Sequence, residues 1–173
     1  MMHLRNATEA DLPAILEIHN DAVRNLDAIW SDKLESLDTR RDWMRERLDA
    51  GFPVIVVADE DNGVLGFGSY GPYRPKDGYR FTVDHSVYVA ASAQGRGAGK
   101  ILMAALIERA RTGGFHVMVG GIDAGNTVSI KFHAAFGFKE AGRLPQVGAK
   151  FGRWLDLVQM ALVLDDRERP PAN

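Results

Sequence analysis

The sequence predicts one α/β domain of the α+β type, with a mixed, mostly antiparallel sheet flanked by about four helices. Three observations carry that prediction. The chain has 173 residues, one domain's worth at about 150 residues per domain. Its helical and strand periodicities follow the order β-α-α-β-β-β-α-β-α-β-β, too few crossovers for a doubly wound parallel sheet. Several β-branched runs are joined by short turns, as antiparallel neighbours are. With 46% hydrophobic and 25% charged residues, the chain has the composition of a globular protein with a sizeable core.

His3 to Ala7 reads as a short strand, followed by a helix from Thr8 to Asn25 on which Leu12, Ile15, Leu16, His19, Val23 and Leu26 recur at helical spacing. Thr8 is its expected N-cap, with Glu9 and Asp11 in the first turn. A second helix, Thr39 to Ala50, carries Trp43, Met44 and Leu48 and stops at Gly51. The connection between the helices holds Ile29 and Trp30. Pro53 to Ala58 and Val64 to Tyr73 read as a hairpin through Asp61-Asn62-Gly63. A polar, basic loop follows, Arg74 to Arg80, and then a strand from Phe81 to Val89. Alternation puts Val83, His85, Val87 and Val89 on one face of this strand and Asp84, Ser86 and Tyr88 on the other. A glycine-rich loop, Ala90 to Gly99, leads into a helix from Lys100 to Thr112. The remaining elements are a strand at His116 to Ile122, a helix at Asn126 to Phe136, and strands at Phe138 to Gly142 and Trp154 to Leu164. Between the last two lies a basic, glycine-containing connection, Gln146 to Arg153. Residues 1–165 are expected to form the single domain and 166–173 a flexible, charged tail.

Composition excludes several functions. Lys and Arg number 21 against 23 Asp and Glu, a formal charge of 21 − 23 = −2, which argues against a general nucleic-acid binder. The absence of cysteine rules out disulfides, thiolate-bound zinc, iron–sulfur clusters and a thioester formed on the protein. The apolar run near Pro53 to Ala58 is far shorter than the roughly 20 residues of a membrane span, and no basic-then-apolar signal opens the chain. A cytoplasmic protein without membrane contact is expected. His3, His19 and His116 have no companions at ligand spacing, so no metal is expected.

The segment from Ser86 to Lys100 carries the most chemistry. Gly95, Gly97 and Gly99 alternate in front of a helix. Bare glycines let backbone N–H groups converge on an anion at the positive helix end, and Arg96 and Lys100 add formal charge. Two phosphate motifs fail here. Gly99-Lys100 is followed by Ile101 rather than the Ser or Thr of a Walker loop, and Gly95-Arg96-Gly97-Ala98-Gly99 lacks the Rossmann spacing.

The same string, Gln94-Gly95-Arg96-Gly97-Ala98-Gly99, resembles the Q/R-x-x-G-x-G/A signature of the GNAT superfamily of N-acetyltransferases. Gly125 to Ile130 and His133 to Phe138 are similar to that superfamily's N-x-x-[SA]-x-x-x-[YH]-x-x-x-G-F segment. Within it, Thr82 to Val89 and Pro145 to Asp156 most resemble the phosphinothricin and methionine sulfoximine acetyltransferases. The resemblance implies a GNAT fold and acetyl-CoA as co-substrate. The implied cofactor contacts are the Val87-Tyr88-Val89 strand, Gly95 to Lys100 including Arg96, Ala98 and Gly99, and Asn126. It implies Asp84 as general base, where the resembling enzymes carry Glu, and His133 as the acid that protonates the CoA sulfur, where many carry tyrosine. It also implies an acceptor bordered by Arg74, Pro75 and Lys76, by Asp84, His85 and Ser86, and by Trp30. Acetyl transfer to an amine needs a neutral amine, a polarised thioester and a proton for the thiolate; with no cysteine, direct transfer is the simpler path. The expected activity is N-acetylation of a small amino acid analogue such as methionine sulfoximine, methionine sulfone or phosphinothricin. The alternatives are a protein N-terminus or polyamine as acceptor, or a non-catalytic acetyl-CoA-binding module. A homodimer is expected through the region around Gln146 to Leu164.

Overall fold

The computed structural model describes residues 1–61 and 63–172. Asn62, in the expected hairpin turn, and Asn173, at the end of the expected tail, lie outside the described residues. In chain order the elements are β1 (His3–Asn6), α1 (Leu12–Asn25), α2 (Leu37–Asp49), β2 (Val54–Ala58), β3 (Val64–Pro72), β4 (Thr82–Val89), α3 (Ala98–Thr112), β5 (Val117–Asp123), α4 (Thr127–Ala135), β6 (Lys139–Lys150) and β7 (Arg153–Val163). The strands form one sheet in the order β1-β2-β3-β4-β5-β7-β6. Its neighbours run antiparallel except β4 and β5.

Strand alternation divides the core between the two faces of the sheet. On one face, Val54, Val56 and Phe67 pack against Leu12, Ile15 and Ile18 of α1 and Met44 of α2. On the other, Ile55, Val57, Val83 and Met118 meet Leu102, Met103, Leu106 and Ala110 of α3, with Ile130, Phe132 and Phe136 beside them. The result is α1 and α2, then the sheet, then α3 and α4.

Several boundaries differ from the sequence reading for local reasons. A single 3₁₀ turn, Glu9–Asp11, precedes α1. Asp11 takes the Thr8 N–H at 2.7 Å and both guanidinium arms of Arg5 at 2.7 and 2.8 Å. Helix α2 starts two residues before Thr39, because the Ser36 hydroxyl accepts the Thr39 N–H at 3.1 Å. Helix α3 starts at Ala98 rather than Lys100, with Gly97 as its N-cap. The expected connection from Gln146 to Arg153 is instead mostly strand. β6 runs on to Lys150 through an irregularity between Leu144 and Gly148, and turns into β7 at Phe151 and Gly152. Their φ values of 52° and 71° are the paired positive angles of a tight hairpin turn. After β7, Asp165 bonds His116 Nδ1 at 2.7 Å, and Arg167 donates to the Gly114 carbonyl at 2.8 Å.

One irregularity in the sheet creates the site. β4 and β5 pair only from Thr82↔Val117 to Asp84↔Val119. β4 continues with β3 as far as Val89, while β5 continues with β7 as far as Asp123. Beyond Asp84 the two parallel strands therefore diverge, and their facing edges are left without a strand partner.

Candidate active site

The divergence opens a cleft of about 790 Å³ through the sheet. Val87 and Val89 of β4, Gly120 to Asp123 of β5, the turn before α3 and one side of α4 form its walls. Gly95 and Gly97 have φ of 75° and 95°, and a Cβ on either would meet nothing within 4 Å. Glycine is required here by backbone angle and not by crowding, so the turn presents bare peptide at the start of a fifteen-residue helix. This surface, with Lys100 beside it on the cleft wall, fits an anionic pyrophosphate, and the unpaired β4 edge fits an extended amide-bearing arm. Asn126 also lines the cleft and caps α4, its Oδ1 accepting the Ser129 N–H at 3.0 Å. Trp30 closes the other end. Its indole donates to the Asp27 carbonyl at 2.9 Å and lies so close over β6 that a Cβ on Gly148 would sit 2.3 Å from the ring.

Asp84 sits at the last paired position, on the sheet face toward α1 and α2, where water reaches it from one side. The protein packed around its other sides pushes the carboxyl up to about 6, and the Arg47 guanidinium pulls the other way. Arg47 reaches there from α2 across Gly71, the register partner of Asp84; a Cβ on Gly71 would stand 1.2 Å from Arg47 Nη1. Arg47 Nε is buried without a hydrogen-bond partner, and burial pushes this guanidinium below its usual range. On the same face Tyr88 turns its ring toward Phe67 and His19, leaving its backbone to the cleft. Burial pushes its phenol up to about 12.

His85 and His133 meet on the opposite face, each 8% exposed. Their Nε2 atoms are 3.0 Å apart, His85 Nδ1 lies 2.8 Å from the Val119 carbonyl oxygen, and His133 Nδ1 lies 2.7 Å from that of Ser129. Burial pushes His85 down to about 4, aided by His133, and burial lowers His133 too.

The structure thus brings together on one cleft Trp30, His85, Ser86, Val87, Tyr88, Val89, Gly95, Gly97, Ala98, Gly99, Lys100, Asn126 and His133. It does not bring every expected residue there. Arg96 is exposed and outside the walls. Arg74, Pro75 and Lys76 are exposed on the loop after β3, away from the walls, with Arg74 over the Tyr73 ring at 5.1 Å. Asp84 lies beside the cleft rather than on its wall, separated from His85 by the plane of the sheet. Arg47 was not anticipated, because an arginine on a polar helix looks solvated; Gly71 is one of three glycines in β3 and gives no distinct signal. Among the described residues no group of three or more His, Asp or Glu is placed to hold a metal.

An opened sheet edge, a bare glycine turn at a helix start and a perturbed carboxyl at the opening define a transferase that holds an extended, anionic carrier against a second substrate. The acetyltransferase (GNAT) family profile matches residues 12–138. The chain is 50% identical over 168 residues to an L-methionine sulfoximine/L-methionine sulfone acetyltransferase of Pseudomonas aeruginosa, covering 97% of this chain and 98% of that protein. Among solved structures it is similar to a Salmonella typhimurium acetyltransferase with its cofactor acetyl-CoA, at TM-score 0.96 and 46% identity over 100% of this chain and 99% of that one. It is also similar to a ribosomal-protein-alanine N-acetyltransferase from Brucella melitensis, at TM-score 0.91 and 52% identity over 93% and 99% of the two chains. The chain belongs to the acetyltransferase (GNAT) family.

Proposed function

We propose that the chain transfers the acetyl group of acetyl-CoA directly to the amino group of a small amino acid analogue, with methionine sulfoximine, methionine sulfone and phosphinothricin as the leading acceptors. The observation that carries this reading is the cleft where β4 leaves β5, with the glycine turn at one end. The co-substrate supplies an activated thioester. Val87 and Val89 hold its amide arm, the peptide groups of Gly95 to Lys100 hold its pyrophosphate, and Asn126 offers its side-chain amide. Asp84 takes the ammonium proton through a water, since it sits beside the cleft and not on its wall. His133 holds the proton for the departing sulfur. Ser86 and Trp30 border the acceptor. Trp30, seated on β6, covers the acceptor end of the cleft, which favours a compact molecule. The name of the Pseudomonas relative supports the same class. The name of the Brucella structure favours a second reading, a protein N-terminal alanine as acceptor. We place the protein in the cytoplasm as a homodimer without nucleic-acid partners; among the described residues no helix is long and apolar enough to cross a membrane.

Gly97→Val tests the cofactor placement. A β-branched residue at φ 95° strains the turn by roughly 1–2 kcal/mol and puts a side chain on its bare face. Calorimetry on the folded variant should find acetyl-CoA affinity lower by at least about tenfold; unchanged affinity would contradict the placement.

A further inference from the structure

We infer that His85 and His133 act as one unit holding a single extra proton between their Nε2 atoms, and that His85 is a positioning residue that fixes the tautomer and charge of His133. This rests on the reading of the cleft as an acetyl-transfer site. Carbonyl oxygens accept and cannot donate, so the 2.8 Å contact to Val119 and the 2.7 Å contact to Ser129 each require a proton on Nδ1. Two neutral imidazoles carry two N–H protons in all, and both are then used. Their Nε2 atoms would face each other as two lone pairs 3.0 Å apart, a hydrogen-bond distance that needs a third proton. A fourth is opposed by burial and by repulsion between two cations. The two rings therefore titrate as a pair: burial opposes charge on either ring, while the facing Nε2 atoms oppose full neutrality.

The surroundings add no competing charge. Val119 and Gly120 face the pair from β5, Ser129 and Phe132 from α4, and Phe138 from the residue before β6. The Ser129 hydroxyl stands 3.4 Å from His133 Nδ1, too far to replace the carbonyl contact. Tyr70 is the register partner of His85 on β3, Asp84 and Arg47 lie across the sheet, and Asp123 and Lys100 stand further along the same cleft. Apart from His133, no charged group among the described residues shifts His85. The fold also makes room for the ring: a Cβ on Gly120 would lie 2.6 Å from His85 Cε1. His85 thus takes the Val119 carbonyl just where the β4–β5 ladder ends.

The chemical use follows from balance. As the amine nitrogen bonds to the carbonyl carbon, the carbon–sulfur pair goes to sulfur, whose thiol has an ordinary pKa of about 8.5. Sulfur takes the shared proton; with the ammonium proton already on Asp84, the second amine proton leaves to solvent, and the two facing lone pairs draw the next proton from solvent.

The test is long-range proton–nitrogen correlation spectroscopy on the full chain, labelled at histidine nitrogen and free of cofactor, between pH 5 and 9. The expected result at pH 7 is two protonated Nδ1 atoms with one proton shared by the Nε2 atoms. Two neutral rings at that pH, or either ring as an Nε2–H tautomer with a bare Nδ1, would overturn the inference. His85→Gln keeps an N–H for the Val119 carbonyl but cannot hold the extra charge. It should leave His133 neutral at pH 7, move the basic limb of the kcat profile to lower pH and reduce kcat by about tenfold or more. A pH profile that superimposes on the wild type, with only KM changed, would overturn the positioning role. A failed acceptor assay leaves the spectroscopic result standing, so the two readings fail separately.

Discussion

Asp84 is the residue on which chemistry and stability pull in opposite directions. A base must be ionised, so activity should fall as pH drops through about 6, the value to which packing pushes this carboxyl. Asp84→Asn should lower kcat/KM by roughly 10²- to 10⁴-fold, while Asp84→Glu, the residue of the resembling enzymes, should retain activity. A raised carboxyl pKa favours the fold fully below the ordinary carboxylate range, and that contribution is lost as pH rises through about 6. Asp84→Asn should therefore raise Tm at pH 8 relative to wild type and bring no such gain near pH 3. Arg47→Met removes the cation that holds the carboxyl down, so the acid limb should move to higher pH; an unmoved limb would mean that Asp84 is not the titrating base. At this scale contiguous motifs singled out Gly97, Asn126 and His133, which the structure sets on the cleft wall, and Asp84, which it sets beside it. The sequence was silent on Arg47 and on the His85–His133 contact, because both depend on which elements face each other across the sheet. The strand alternation did separate Asp84 from His85 correctly, and that placed His85 on the α4 side where its partner stands.

The end of the cleft that Trp30 closes is held by a buried cation. Lys150, 2% exposed at the end of β6, donates to the carbonyls of Ala22, Leu26 and Ile29 at 3.3, 2.5 and 2.6 Å. It thereby caps α1 and fixes the connection that carries Trp30. Lys150→Met would leave three carbonyls without that donor, and thermal or urea unfolding should show a loss of about 2–4 kcal/mol. KM for the acceptor should rise more than kcat falls, since Trp30 would lose its seat; unchanged stability would remove Lys150 from this role. The order of elements and both faces of β4 were legible because their periodicities are strong. The long β6 was not, since its only hairpin marker is Phe151-Gly152, and a phenylalanine at φ 52° is not a residue that announces a turn. The Ser36 cap was missed because helix α2 has so few apolar residues that its start carries little periodic signal.

For the molecule as a whole, β6 and β7 leave Leu144, Val147, Phe151 and Trp154 between 47% and 71% exposed. Exposed apolar side chains on the hairpin that ends the sheet are what a second copy would cover. Sedimentation at micromolar concentration should give twice the chain mass of 19.0 kDa; a single-chain mass would remove the dimer. The family was legible across nearly the whole chain because the glycine turn and the Asn126 to Phe138 segment lie in contiguous stretches. The acceptor was legible only as a class, since the walls of the cleft come from the α1–α2 connection, β4, β5 and α4, which the fold alone brings near one another. The central claim, acetyl transfer to the amine of a small amino acid analogue, is tested most directly by free-thiol release from acetyl-CoA. The assay offers methionine sulfoximine, phosphinothricin, spermidine and a short peptide with N-terminal alanine. Methionine sulfoximine or phosphinothricin should turn over at a kcat/KM well above that for spermidine or the peptide; turnover confined to the peptide or spermidine, or no turnover with any amine, would refute this assignment of the acceptor.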